Sequence, residues 1–197
     1  MHYRTGSDYF RPTLKHEALL YDIVLIVGAS LFIALSAQLA INIPLSPVPI
    51  TGQTFAVLLT GALLGSRRGS MAIIVYLLEG ISGVPVFAGA GFGITHLIGP
   101  TGGYLVGFLP AAFLCGWMAE RGWDRRILKV FLMMVLGSIV IFFFGLIWLS
   151  QFTGPRNVLS MGLFPFIPGA LIKIALATFL LPAGMGYLNG RKIEPDV

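Results

Sequence analysis

Apolar residues form six runs along the chain, separated by short polar or glycine- and proline-rich stretches. Four runs approach or exceed the length of about 20 residues that crosses a bilayer as a helix. Two lie close together and are about half that long. We therefore predict six membrane helices, two of them short: Ile23–Ile43, Phe55–Gly65, Met71–Ile81, Tyr104–Ala119, Val130–Leu149 and Leu163–Tyr187.

The two short runs predict a hairpin that reaches only part of the way across the membrane. The basic stretch Ser66–Ser70 separates them and is expected to form the turn. At about 1.5 Å per residue, each helix would fall well short of a hydrocarbon core of about 30 Å.

Two irregular segments flank this hairpin and are unusually apolar for loops. Ile43–Thr54 contains three prolines, and Ser82–Gly103 contains seven glycines and two prolines without any Asp, Glu, Lys or Arg. Irregular backbone is tolerated at membrane depth only where protein or a water-filled cavity satisfies it. The two segments are therefore expected to cover a binding pocket, the alternative being two ordinary surface loops.

Composition supports one polytopic, all-α membrane domain. The chain has 197 residues, 56% apolar and 11% charged. We assign residues 1–18 to a cytoplasmic N-terminal segment, 19–190 to the six-helix domain and 191–197 to a cytoplasmic tail. The net charge of +5 comes from short clusters between the apolar runs, which argues against nucleic-acid binding.

Positive charge predicts the orientation in the cytoplasmic membrane. If both termini lie on one side, eleven of the thirteen cations share that face, which the positive-inside rule makes cytoplasmic. The irregular segments then lie on the outer side, so the pocket should open outward. The eleven are Arg4, Arg11, Lys15, Arg67, Arg68, Arg121, Arg125, Arg126, Lys129, Arg191 and Lys192.

Lys173 is the only cation inside the last apolar run. Pro168 suits the first turn of a helix, so Lys173 would follow about one and a half turns later, near the positive end of the helix dipole. Intramembrane ionisable residues are candidates for function, and this arrangement attracts anions. The alternative is that the long side chain reaches the membrane interface and serves no ligand.

The remaining polar residues in apolar surroundings allow several roles. Glu79 could pair with Lys173, bind a ligand donor or relay protons. His96 is expected to be a hydrogen-bonded loop residue rather than a metal ligand, and Gly89–Gly93 lacks the strand that a nucleotide-binding loop needs. No catalytic residues, metal site or cofactor are predicted.

Small residues recur at helical spacing in the first apolar run. Ser30, Ala34 and Ala37 form one stripe, and such stripes let helices approach closely. They predict either a docking face for a separate membrane subunit or packing within the chain itself. Gly103 and Gly107 form a similar pair in the fourth run.

Four stretches carry a resemblance to a known family: VPITGQTFAVLLTGALLG, YLLEGISGVPVFAGAGFG, GPTGGYLVGFLPAAFLCG and PFIPGALIKIALA. From about Val48 to Ala177, in the same order, the chain resembles the BioY family of biotin-specific S-components of energy-coupling factor (ECF) transporters. The resemblance implies six membrane helices, an outer substrate pocket, and partnership with a transmembrane coupling subunit and ABC-type ATPases, although some members are thought to act without them.

The resemblance also implies site residues. Lys173 matches a lysine of the family's biotin site, whereas the acid that usually stands three positions earlier is Ala170 here. Glu79 or Gln53 could supply the missing polar contact. The candidate substrate-binding residues are Lys173, Glu79, Gln53, Tyr104, Phe87, Phe92 and Gly91, and the candidate docking residues are Ser30, Ala34 and Ala37.

The predicted function is biotin capture and uptake, with Lys173 pairing the substrate carboxylate. A biotin molecule combines an acidic tail, a hydrocarbon chain and a polar ureido head, which suits a cation in an apolar pocket with a few directed polar groups. The alternative is a proton-coupled secondary transporter of a small organic anion or vitamin that uses Glu79. Besides biotin and the proposed subunits, membrane lipid is the expected partner.

Overall fold

The chain folds as a helical bundle. The computed structural model describes residue 3, residues 5–44 and residues 46–190. Arg4, Arg191, Lys192 and the predicted tail 191–197 lie outside the described residues. Within the described part the helices are α1 (Lys15–Gln38), α2 (Gln53–Ile81), α3 (Ile94–Ile98), α4 (Gly102–Ala119), α5 (Ile127–Thr153), α6 (Val158–Gly162) and α7 (Ile167–Gly190).

Four helical stretches in the described residues are long and apolar enough to cross a membrane. They are Lys15–Gln38, Gly102–Ala119, Ile127–Thr153 and Val158–Tyr187. The prediction for the fourth run is confirmed to within two residues. The first helix is displaced: it starts at Lys15, inside the segment assigned to the cytoplasmic N-terminus, and ends at Gln38, before the prolines.

The predicted short hairpin is present, but the predicted turn is wrong. Residues 66–70 are helical, and the chain reverses at Gly65 alone, whose φ of 84° and ψ of 175° favour glycine. The two halves of α2, residues 53–64 and 66–81, pack so closely that a Cβ on Gly69 would lie 2.9 Å from the Cα of Gly61. Arg67 and Arg68 therefore begin a helix instead of forming a loop.

Small residues set the helix packing in the core. A Cβ on Gly61 would lie 2.3 Å from the carbonyl oxygen of Ala112 in α4. On the other side of α4, a Cβ on Gly103 would meet Trp148 of α5 at 2.3 Å, and one on Gly107 would meet Phe144 at 3.1 Å. Glycine thus lets α4 approach both α2 and α5, as small residues do in membrane bundles.

The connecting segments are irregular, as predicted, with short ordered pieces. Ala40–Ile41 pairs antiparallel with Ile50–Thr51, so a two-stranded ribbon is added to the all-α prediction. In the glycine-rich segment, Phe87 and Gly91 close a tight turn that contains Gly89 and Ala90, both with positive φ.

One end of the bundle carries most of the described cations and an ion-pair network. Arg68 lies 2.8 Å from Asp8 of the N-terminal segment and 2.8 Å from Asp22 of α1. Glu120, at the end of α4, accepts hydrogen bonds from the amide and the hydroxyl of Ser66. We call this the basic end. It joins the N-terminal segment, the reversal of α2 and the α4–α5 loop.

Candidate substrate-binding site

A cavity opens at the other end of the bundle, between α2, α4, α5 and α7. Together with the solvent-filled space at its mouth, it has a volume of about 870 Å³. Its walls are mainly apolar, which suits a small organic ligand with few polar groups. The apolar wall includes Leu58, Leu105, Phe108, Ile141, Phe142, Phe166 and Ile174.

Lys173 lines this cavity, and the local sequence explains its position. Helix α7 begins at Ile167 with Pro168 in its first turn, as predicted, so Lys173 lies about one and a half turns inside. Its Nζ donates to the backbone carbonyl of Thr51 and, at 2.9 Å, to the hydroxyl of Thr54. Both are neutral acceptors.

Among the described residues Lys173 forms no ion pair. Ala170, one turn earlier on the same helix, also lines the cavity and contributes only a methyl group. The cavity therefore contains a cation held by neutral dipoles. An anionic ligand group could complete this arrangement.

Gln53 and Tyr104 also line the cavity, and both are buried. The amide of Gln53 donates to the hydroxyl of Tyr76 and accepts from the hydroxyl of Thr51. The hydroxyl of Tyr104 donates to the carbonyl of Gly162 at 2.8 Å. These bonds fix the cavity wall and use much of the hydrogen-bonding capacity of both side chains.

The predicted residues of the glycine-rich segment lie beside the cavity rather than in its lining. Phe87 is fully buried and stacks on His96, with ring centroids 5.2 Å apart. Gly91 lies against the same imidazole, and Phe92 is 57% exposed. Ala88, His96 and Thr101 are the members of this segment that line the cavity.

Glu79 lies in α2 and is not part of the cavity lining. Its carboxylate accepts a hydrogen bond from the hydroxyl of Ser30 at 2.7 Å. Within the described residues it forms no ion pair with Lys173, so that part of the prediction is wrong. The geometry gives Glu79 a role in joining α1 to α2.

The small-residue stripe of α1 faces inward. Ser30 and Ala37 are completely buried and Ala34 is 8% exposed in the isolated chain. Ser30 contacts α2 through Glu79, so the stripe packs within the chain. Of the two interpretations of the stripe, packing within the chain agrees with this placement. The three side chains are too buried to contact a partner subunit.

Two contributors to the site were not singled out as binding residues from the sequence. Thr54 was missed as the partner of Lys173, although it stands in the quoted TGQT motif. His96 was assigned a hydrogen-bonded role, but its ring nitrogens have no hydrogen-bond partner among the described residues. A histidine in a stretch without any other ionisable residue was the available signal.

The fold and the cavity define the class: a multi-pass helical membrane protein with an internal, mainly apolar cavity that is lined by one lysine among its described residues. Comparison with known proteins defines the family. The model of the BioY family matches residues 11–189. This chain therefore belongs to the BioY family.

Curated relatives agree. The probable biotin transporter BioY of Pyrococcus horikoshii is 39% identical over 152 residues, covering 77% of this chain and 90% of the relative. The biotin transporter BioY of Thermotoga maritima is 38% identical over 157 residues, covering 79% and 92%. The relatives are named as transporters, which confirms the expectation of a transport protein rather than an enzyme.

A solved structure gives the same result for the fold. The crystal structure of the S-component for biotin from an ECF-type ABC transporter superposes with a TM-score of 0.75. It is 27% identical to this chain, and the match covers 92% of this chain and 96% of the other. The resemblance stated from sequence motifs is thereby confirmed.

Proposed function

We propose that this chain captures biotin and takes it across the cytoplasmic membrane as the substrate-binding subunit of an ECF-type transporter. The family and the biotin-transporter names of its relatives support the substrate. The structural similarity to a biotin S-component supports the role within a larger transporter. The coupling subunit and ATPases would be separate polypeptides.

Lys173 binds the carboxylate of the substrate in this proposal. The observation that carries it is the lining of the cavity by an ammonium group whose bonded partners, Thr51 and Thr54, are neutral. A ligand carboxylate would add a charge-assisted hydrogen bond in surroundings with few competing waters. The hydrocarbon chain of biotin would lie along the apolar wall.

Six membrane helices are part of the proposal. The four long stretches supply four, and the two halves of α2 supply the others. At about 1.5 Å per residue, the halves are about 18 Å and 24 Å long, so each would cross only part of the core. The whole of 1–197 would be one membrane domain.

The orientation places the basic end in the cytoplasm and the cavity mouth outside. Of the predicted cytoplasmic cations, Arg68 and Arg121 lie at the basic end with the α4–α5 loop, which agrees with the positive-inside rule. The residues available to a coupling subunit are then the exposed apolar side chains of α1, because its small-residue stripe is covered.

The glycine-rich segment acts as a cover whose order depends on substrate. Gln38 of α1 donates to the carbonyl of Phe87 and accepts from the amide of Ala90, which attaches the tight turn to α1. Its backbone hydrogen bonds, from Phe87 to Gly91 and from Gly91 to Ala88, lie within the turn itself, so its amides should exchange more slowly once biotin is bound.

Binding of labelled biotin to the purified full chain tests the proposal directly. We expect saturable retention of biotin and competition by desthiobiotin, but no competition by unrelated vitamins. Absence of saturable biotin retention would refute the proposed function. The proton-coupled alternative has less support, because Glu79 lies outside the cavity lining; it predicts uptake that collapses with a protonophore while ATP is maintained.

A further inference from the structure

The imidazole of His96 is held at the cavity by contacts on its ring. It stacks on Phe87 with an interplanar angle of 19°, and Phe87 in turn packs edge-on against Tyr76. Gly91 leaves room for the ring: a Cβ there would lie 2.5 Å from Cε1 and 2.6 Å from Nδ1 of His96. These contacts define the orientation of the ring at the cavity.

The backbone of His96 is bonded, whereas its ring is not. The amide donates to the carbonyl of Gly93 at 3.2 Å, and the carbonyl accepts from the hydroxyl of Thr101 at 3.4 Å. No described residue donates to or accepts from either ring nitrogen. A polar side chain that lines a binding cavity and has unused hydrogen-bonding capacity is suited to a ligand.

The other polar side chains of the lining are more fully used. Gln53 and Tyr104 bond to protein groups as described above, and Ser138 donates its hydroxyl proton to the carbonyl of Met134 at 2.8 Å. Ala170 offers no polar atom. Among the described polar side chains of the lining, His96 is therefore the one that makes no hydrogen bond to the protein.

We propose that His96 hydrogen-bonds the cyclic urea head of the substrate, while Lys173 binds the carboxylate. This inference rests on the proposed function. A neutral imidazole carries one N–H donor and one nitrogen acceptor, and a cyclic urea carries N–H donors and a carbonyl acceptor, so the two are complementary. Burial lowers the pKa of His96, which keeps the ring neutral near pH 7.

The test compares three ligands on the purified full chain and its variants. Biotin has both groups, desthiobiotin keeps the urea but lacks the sulfur, and biotinamide keeps the urea but lacks the carboxylate. His96→Phe preserves an aromatic ring for stacking on Phe87 and removes both polar atoms. His96→Gln restores a donor and an acceptor, and Thr95→Val, at an exposed neighbouring position, is the matched control.

We expect His96→Phe to weaken the binding of all three ligands by a similar factor of at least ten, because each ligand contains the urea. His96→Gln should recover most of the affinity, and Thr95→Val should bind like the wild type. Thermal unfolding of each purified variant shows whether the fold is kept.

Three results would overturn the inference. One is wild-type affinity in His96→Phe. Another is an equal loss in His96→Phe and His96→Gln, which would assign the residue to packing. The third is a loss of affinity in His96→Phe that is seen with biotin but not with biotinamide. That result would show that the imidazole binds the carboxylate instead of the urea. If the wild type itself failed to retain biotin, the proposed function would fail instead.

Discussion

Arg68 lies at the basic end, just after the reversal of α2, whereas Lys173 of α7 contacts the start of α2 at the cavity. Both cations are partly buried. Arg68 contacts two carboxylates, Asp8 and Asp22, at 2.8 Å each. Lys173 contacts only a carbonyl and a hydroxyl among the described residues. The charge of Arg68 is neutralised by acids of the same chain, whereas Lys173 has no anionic partner among the described residues.

The difference separates structural from binding roles. A partly buried cation with its acids in place holds segments together, and removing it leaves carboxylates without a partner. A partly buried cation with neutral partners gains most when an anion arrives. The comparison therefore predicts that mutations at the basic end change stability and that mutations at the cavity change binding.

The largest effect is expected from Arg68→Met. It should lower the stability of the folded chain by about 3 kcal/mol, because Asp8 loses its ion pair and Asp22 keeps only the one with Arg11. The measurement is thermal unfolding in detergent, with Arg67→Met as the matched control, since Arg67 is exposed and adjacent. Equal unfolding temperatures for the two variants would remove the structural role of Arg68.

Asp124 sharpens the comparison, because it is an acid at the basic end without a hydrogen-bond partner among the described residues. It is 1% exposed, and burial raises its pKa to about 6, despite the nearby Arg125. A carboxyl group whose pKa is raised by folding stabilises the folded state while it is protonated. This contribution is complete below the unfolded pKa of about 4 and is lost as the pH rises through the folded pKa of about 6.

The contribution of Asp124 to stability should accordingly fall by about 2 kcal/mol between pH 4 and pH 7.5, measured as the difference in free energy of unfolding between the wild type and Asp124→Asn at each pH. Asp8 provides the contrast of opposite sign. Although burial opposes it, hydrogen bonds from Arg68 and Thr5 lower its pKa, so its contribution is lost only as pH falls below about 4. A difference between the wild type and Asp124→Asn that stays constant from pH 4 to pH 7.5 would contradict the account of Asp124.

The third prediction concerns the cavity. Lys173→Met should weaken biotin retention at least tenfold, about 1.4 kcal/mol or more, while unfolding of the ligand-free chain changes little. Lys129→Met, at the basic end, is the control and should retain biotin like the wild type. Unchanged retention in Lys173→Met would exclude the lysine from the site.

Much of the membrane architecture could be predicted from local sequence. Long apolar runs fixed the spanning helices, and Pro168 placed Lys173 correctly within α7 because both depend on residues close in the chain. The paired short runs predicted the hairpin. The ten or so residues of each run could not accommodate a full crossing, whatever their neighbours.

The errors concern properties that depend on distant residues. One glycine at position 65 reverses the chain, which no composition rule distinguishes from a five-residue turn. Lys173 was considered as a partner of Glu79. Because α1 packs on α2, the carboxylate of Glu79 instead accepts a hydrogen bond from Ser30. The stripe of Ser30, Ala34 and Ala37 was ambiguous for the same reason: small residues suit any close helix contact.

The most direct test of the central claim measures biotin and biotinamide binding to the wild type and to Lys173→Met, four affinities in all. If the ammonium group binds the ligand carboxylate, biotinamide should bind the wild type at least tenfold more weakly than biotin does. The two proteins should then bind biotinamide equally well. If Lys173→Met weakened the binding of both ligands by the same factor, the lysine would not bind the carboxylate, and the account of the cavity would be wrong.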